Sequence, residues 1–374
     1  MATYRFDEIA INSTKKKKPT EEDKVHYIGL EHIDPGCFNI VRWGSDVAPT
    51  GDKLLMQKGD VLFGKRRAYQ RKVGIAPFDG IFSAHGMVLR PNTEIIDANY
   101  FPFFISSDRF METAVRISVG GLSPTINWKD LAKQKFDLPT LEEQKVLADK
   151  LWAAYRLKEG YKKLLAATDE MVKSQFIEMF SSYQTTPVGN YIEDSYPGEW
   201  GTEDKDGNGV KVVRTTNFTN SGKLDLTDVV TRSISEKKIE RKTIRKYDTI
   251  LERSGGTTDN PVGRVVLFEE DEQYLCNNFT QVLRFKKVDP IFAFYSLFYF
   301  YHTNKIVVRS MGSKTTGIQN LNMSKYLEIG IPNASDDEQK KFVAIAKQAD
   351  KSKFELKQCI ENIDKVINSL INGK

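Results

Sequence analysis

The chain has 374 residues, 40% of them hydrophobic and 28% charged, which gives ample material for cores and length for two or three domains. The longest apolar stretch, residues 292–301, falls short of the roughly 20 residues a bilayer-spanning helix needs. No apolar signal core opens the chain, and Cys37, Cys276 and Cys359 make no disulfide framework; membrane and secreted classes give way to a reducing cytoplasm, while a net charge of +5 decides little until its clustering is read.

Residues 1–139 read as a first mixed domain of short strands and helices. Lys15, Lys16 and Lys17 begin a four-lysine run that suits either a solvated loop or contacts to phosphate. Short apolar strands are predicted at 27–30, 60–63 and 86–89, bounded by Gly, Asp and Pro. Directly after the second of these comes a basic loop, 65–72. Arg and Gln form bidentate pairs with guanine and adenine edges, so Lys65, Arg66, Arg67, Tyr69, Gln70 and Arg71 are candidate DNA contacts. A solvated basic loop is the alternative. One helix is predicted over 100–118, with Phe103, Phe104, Phe110, Ala114 and Val115 on one face.

Thr140 and Glu143 then form a capping box, a hydroxyl and a carboxylate each satisfying an orphan N–H at a helix start. A long amphipathic helix is predicted over 140–182, with apolar residues from Leu147 to Met171 at steps of three and four. Gly160 is expected to kink it, at about 1 kcal/mol against Ala.

A second domain, 183–334, repeats the order of the first, with strands at 210–213, 249–251, 265–268 and 281–283. Its polar candidates are Arg214, Thr215 and Asn217, then Arg253, Ser254, Thr257 and Thr258 in the loop equivalent to 65–72. Lys314 and Thr315 follow in a segment that pairs with 121–127 of the first copy; there, close approach to phosphate and an ordinary turn are both open readings. The aromatic run over 292–308 reads as a helix whose rings build core. Ser335 and Glu338 repeat the capping box and open a second long helix, 335–374.

At 1.5 Å per residue each long helix would reach roughly 50–60 Å, too long for a narrow apolar stripe to be buried by one small domain. The two are therefore expected to pack on each other; oligomerisation through a coiled coil is the alternative.

The duplication runs through the whole chain. Gln144 and Gln339, each just inside a capped first turn, lie 195 residues apart (339 − 144). Residues 58–65 pair with 246–253, 86–90 with 280–284, and 6–13 more loosely with 188–195. A drifting offset is what loop insertions between fixed elements produce. The fold class is α+β (mixed α/β): two pseudo-repeated globular domains, each followed by a long helix, the helices packing as an antiparallel coiled coil.

Catalytic signatures are missing. There is no P-loop, dinucleotide fingerprint or nucleophile elbow, and Asp259-Asn260-Pro261-Val262 fails the methyltransferase pattern at its second Pro. His26, His32, His85 and His302 show no metal-ligand spacing. No catalytic residue, metal or cofactor is assigned.

This pattern resembles the DNA specificity subunits of type I restriction-modification systems. The residues that carry the resemblance are Tyr27-Ile28-Gly29-Leu30-Glu31-His32-Ile33 and the duplicated Pro139…Glu143-Gln144 and Pro332…Glu338-Gln339. It implies a non-catalytic subunit whose two target-recognition domains each bind one half of a split double-stranded DNA site. It further implies antiparallel helices that set the spacer and dock two methyltransferase subunits, which bring S-adenosylmethionine, and recruitment of an ATP-dependent restriction subunit. A further option, separate from the resemblance, is a homodimer through the helices when partners are absent. The competing reading is a two-domain protein-interaction scaffold that does not read DNA; a fused methylation enzyme would need the motifs this chain lacks.

Overall fold

The computed structural model describes residues 2–257, 259–315 and 318–373, with the backbone alone at 314 and 315. The chain divides into two compact units, Met1–Leu164 with Glu355–Lys374, and Leu165–Phe354.

In the first unit a helical turn, Phe6–Ile9, feeds the strand Ala10–Ser13. That strand edges an antiparallel sheet continuing through Met87–Pro91, Val61–Phe63 and Val73–Ile75. Val61 and Phe63 enter one apolar cluster and Leu62 another; Met87 and Leu89 divide from Val88 in the same way. Both faces of the sheet are thus covered, which is why its strands read as unbroken apolar runs. The helices Phe101–Ser106 and Asp108–Arg116 cover one face. A second sheet covers the other, in the order Lys16–Lys17, Lys53–Met56, Gly80–Phe82, Tyr27–Ile28, its last pair parallel. The single helix predicted over 100–118 is two, broken at Ser107, whose backbone is extended and whose hydroxyl accepts the Phe110 N–H at 3.2 Å. Ser favours that N-cap role over a mid-helix place.

The second unit is built on the same plan. Its main sheet runs Ile192–Pro197, Thr280–Phe285, Thr249–Glu252, Val265–Leu267. Leu251, Val265, Leu267 and Leu283 face one cluster while Ile250, Val266 and Val282 face another. The aromatic helix spans Pro290–Thr303 and a short one Lys305–Ser310, separated at Asn304; Phe292 and Phe294 are buried in the core. The second sheet again holds a parallel pair, Val210–Val213 with Tyr274–Cys276. Here the added strands Val230–Ser233 and Thr202–Glu203 extend from Val210–Val213. In the first unit the additions extend from Gly80–Phe82, the partner on the other side of the parallel pair.

A buried ion pair recurs at equivalent positions. Arg90 grips Asp60 with contacts of 2.6 and 2.8 Å, and Asp60 also accepts the Gln57 N–H at 2.7 Å. Arg284 grips Asp248 at 3.0 and 2.7 Å, and Asp248 accepts the Arg245 N–H at 2.8 Å. Each carboxylate is therefore both paired and hydrogen-bonded, the condition for a charge to be tolerated inside a fold.

The long helices span Leu141–Phe180 and Asp336–Asn372. Within the first unit Leu147, Leu151 and Tyr155 share a cluster with Ile363, Ile367 and Leu370, and Lys158 pairs with Asp364. Within the second, Phe176 lies 5.1 Å from Phe342 and Lys353 bonds Asp169 at 2.8 Å. In each unit numbers rise along one helix as they fall along the other, so the pairing is antiparallel. Gly160 does not interrupt the first long helix, and a methyl group there would meet nothing within 4 Å.

Both capping boxes are formed. Thr140 N–H donates to Glu143 at 2.8 Å and Ser335 N–H to Glu338 at 2.9 Å. The Thr140 backbone N–H holds the Glu143 carboxyl below its usual range. The repeated glutamines are buried connectors. Gln144 accepts the Asp97 N–H at 2.8 Å and donates to Ile95 and Pro139 carbonyls at 3.1 and 2.9 Å. Gln339 accepts the Asp289 N–H at 2.8 Å and donates to the Ala334 carbonyl at 2.9 Å. Each ties a long helix to the loop that leads into its domain's aromatic helix.

Candidate nucleic-acid interface

One main-chain arrangement recurs where the central strand leaves each main sheet. In the first unit, Arg66 N–H donates to the His85 carbonyl at 3.1 Å and Ile126 N–H to the Lys65 carbonyl at 3.0 Å. In the second, Arg253 and Ser254 N–H donate to the Phe279 carbonyl at 2.9 and 3.0 Å, and Leu321 N–H to the Arg253 carbonyl at 2.8 Å. Lys65 and Arg253 thus occupy equivalent, doubly pinned positions from which a polar loop begins. Rigid elements fix the start of each loop, and side-chain identity is free to differ beyond it.

In the first unit the loop folds over the helical turn Ala68–Gln70, flanked by Arg67 and Arg71 at φ 56° and 52°. Non-glycine residues rarely adopt this left-handed region, at roughly 1–2 kcal/mol each. Arg67 N–H donates to the Pro124 carbonyl at 2.7 Å, and its guanidinium reaches the Ser123 hydroxyl at 3.1 Å. Arg71 donates to the Ser106 carbonyl at 2.9 Å and to Asp108 at 2.7 Å. Asn372, on the second long helix, holds Asp108 in turn, accepting its N–H at 3.0 Å and donating to its carboxylate at 2.9 Å. Tyr69 is left 55% exposed at the tip, beside half-buried Gln70.

Positive charge gathers beneath this loop. Arg66 lies 3.3 Å from the His85 ring nitrogen. Burial lowers the His85 pKa, and Arg66, Lys65 and Lys53 lower it further, so the ring is neutral at pH 7. Burial, followed by the charge of Lys16, lowers the Lys65 ammonium as well. Lys15, Lys16 and Lys17 are exposed, with Lys16–Lys17 forming a sheet edge and Lys17 paired to Asp23 at 2.9 Å.

The second unit places an acid at the start of its loop. Buried Glu252 is gripped by Arg264 at 2.7 Å. Among the described residues the Arg253 side chain reaches Gln281, at 3.5 Å. Ser254 is buried and bonds Asn320 at 2.7 Å, while exposed Thr257 closes a turn with Asn260 at 2.7 and 3.0 Å. Thr258 and the side chains of Lys314 and Thr315 lie outside the described residues; the backbone of 314 and 315 pairs with Gln319 and Ile318. Arg214 pairs with Asp228 at 3.0 Å, and Thr215 begins a helical turn that ends at Asn217. Asn217 is buried with its amide fully engaged, accepting the Arg214 N–H and donating to the Asp225 and Asp228 carbonyls, each at 2.9 Å.

The structure adds residues that local reading missed. Lys53, His85 and Ser123 join the first loop only through sheet pairing and a chain reversal, and Asp108 meets Asn372 across 264 positions. Aligning the repeats does set His85 opposite Phe279, a signal that was available. Among the described residues there is no group of three or more His, Cys, Asp or Glu side chains fit to hold a metal, and no helix is long and apolar enough to cross a membrane.

A duplicated α+β unit with a long helix after each copy defines a class of paired-domain proteins. Within that class, the chain belongs to the type I restriction modification DNA specificity domain family, whose profile matches residues 3–166 and 195–365. It is similar to the type I restriction enzyme EcoDI specificity subunit of Escherichia coli, 29% identical over 146 residues that cover 37% of this chain and 31% of that protein. It is also similar to the type I restriction enzyme StySPI specificity subunit of Salmonella potsdam, 21% identical over 297 residues, 70% of this chain and 62% of that protein. The chain thus spans about a third to under two thirds of the length of these curated relatives. A crystal structure of the type I restriction-modification system S subunit from M. genitalium shares the fold, with a TM-score of 0.55 at 14% identity, covering 99% of this chain and 94% of that one.

Proposed function

We propose that the chain is the non-catalytic specificity subunit of a type I restriction-modification complex, reading a split site in double-stranded DNA with one half assigned to each unit. The observation that carries this reading is the match of the specificity domain to both copies of a fold that pins the carbonyls of Lys65 and Arg253, and the N–H that follows each, in the same way and surrounds them with different polar chemistry. One scaffold with two side-chain sets suits the reading of two sequences.

The target-recognition domains are residues 1–139 and 183–334, and the segments 140–182 and 335–374 are the spacers between them. Helix length sets the unread gap between half-sites, the geometric logic of paired readers. Tyr69, Gln70, Arg66 and Arg67 reach base edges of one half, with Lys65, Arg71 and Lys15 to Lys17 on the backbone. Arg253, Thr257, Thr258, Lys314 and Thr315 serve the other half with Arg214 and Thr215, while buried Ser254 and Asn217 shape the turns behind them. Two methyltransferase subunits dock on the helices and supply S-adenosylmethionine and the pocket for a flipped base. An ATP-dependent restriction subunit joins this complex in the cytoplasm.

Methylome sequencing of cells carrying this gene and its methyltransferase gene, against a deletion of this gene alone, tests the reading. Loss of methylation at one bipartite motif is expected. Unchanged methylation, with the methyltransferase expressed and bound to the chain, would replace it with the interaction-scaffold reading.

A further inference from the structure

Under the basic loop of the first unit lies a cavity of about 300 Å³, lined by Asn12, Thr14, Lys16, Lys65, Thr125 and Trp128 among others. Among the described residues no carboxylate lines it. Lys16 and Lys65 are close enough for one charge to depress the other's protonation. Among the described residues neither ammonium has a carboxylate within 4.0 Å, and neither makes a side-chain hydrogen bond. Exposed Lys16 and half-buried Lys65 both line this cavity, and an anion between them would relieve the repulsion of their like charges.

We infer that this cavity is an anion site that seats one phosphodiester of the DNA backbone between Lys16 and Lys65. The inference rests on the DNA-reading proposal for its physiological ligand, but the phosphate chemistry stands apart from it. A phosphate carries a full negative charge and several acceptor oxygens, enough for both ammoniums and the Thr14 and Thr125 hydroxyls. A guanine edge offers only partial charges and leaves the repulsion between the lysines in place. The cavity would fix the register of the duplex beneath the loop without carrying sequence information, leaving Tyr69 and Gln70 to the bases.

The test uses the full chain with Lys16→Met and Lys65→Met, singly and together, which keep the aliphatic stems. Binding to half-site duplexes is measured across a salt series, and thermal stabilisation is measured with inorganic phosphate as the probe. The double variant should lower the slope of log affinity against log salt by about 1. It should weaken all half-site sequences equally and abolish stabilisation by phosphate. An unchanged slope in a chain that binds duplex, or a changed base preference, overturns the inference. If the unaltered chain binds no duplex, the DNA reading fails and the phosphate arm alone decides. Stabilisation lost in the double variant then supports a free-phosphate site, and no stabilisation of the unaltered chain removes the site.

Discussion

The two units hold the same backbone device and surround it with different electrostatics. In the first, Lys65 stands beside Lys16 and, with Lys53 and Arg66, beside His85, and among the described residues the acid that engages the loop is Asp108, at its far end. In the second, Glu252 stands where the first has Gly64 and is buried against Arg264, while Arg253 beside it faces Gln281. The pinning hydrogen bonds come from backbone and survive any exchange of side chains. What differs is the side chains, some exposed like Tyr69 and some buried like Glu252 and Ser254. A scaffold duplicated in this way can diverge in what it contacts without losing its fold.

The comparison can be broken at several depths, and the buried ion pairs give the largest expected effect. Asp248→Ala leaves Arg284, with only 11% of its side chain exposed, to the longer 3.6 Å contact with Asp194, and should cost up to about 3–5 kcal/mol by calorimetry or denaturant titration. Asp60→Ala should cost less, because Arg90 keeps 36% of its side chain in water. Equal losses would mean that the two units do not differ in how deeply the pair is held. Next come the connectors: Gln144→Ala removes three hydrogen bonds and Gln339→Ala two, so losses of about 1–3 kcal/mol are expected, the larger for Gln144.

Asn372→Ala should cost about 1 kcal/mol and speed proteolysis or hydrogen exchange in the 65–72 loop, because Asp108 would lose the side chain that holds it against Arg71. No comparable change is expected in the 253–260 loop. Smallest is Gly160→Ala, which meets open space on a helical backbone and should stabilise the chain by up to about 1 kcal/mol. A loss of stability there would show that the helix needs its glycine.

Much of this was legible in the residues alone. The capping boxes, the repeated Gln, the strands around Leu62 and Ile250 and the buried aromatic run follow from local spacing and hydrophobicity, because each signal lies within one element. The break at Ser107 was masked, since Phe103, Phe104 and Phe110 keep a helical rhythm across it while Ser107 turns the chain by capping the next helix. The opposite placement of the added strands beside each parallel pair was also hidden, because edge choice depends on long-range packing rather than on the strand itself. At the candidate site the basic loop was visible as composition. Its division into clamped residues (Arg71), buried supports (Ser254, Asn217) and an exposed tip (Tyr69) was not, because partners such as Asp108 and Asn372 meet only in the folded chain.

The most direct test of the central claim is a methylome comparison of cells carrying the wild-type chain, Arg67→Ala or Arg253→Ala, scored over every single-base variant of both half-sites. The account predicts that Arg67→Ala relaxes or weakens reading of one half-site, and Arg253→Ala the other, each by about 1–3 kcal/mol of discrimination. If both variants disturb the same half, or neither disturbs any, the two loops do not divide the reading between them.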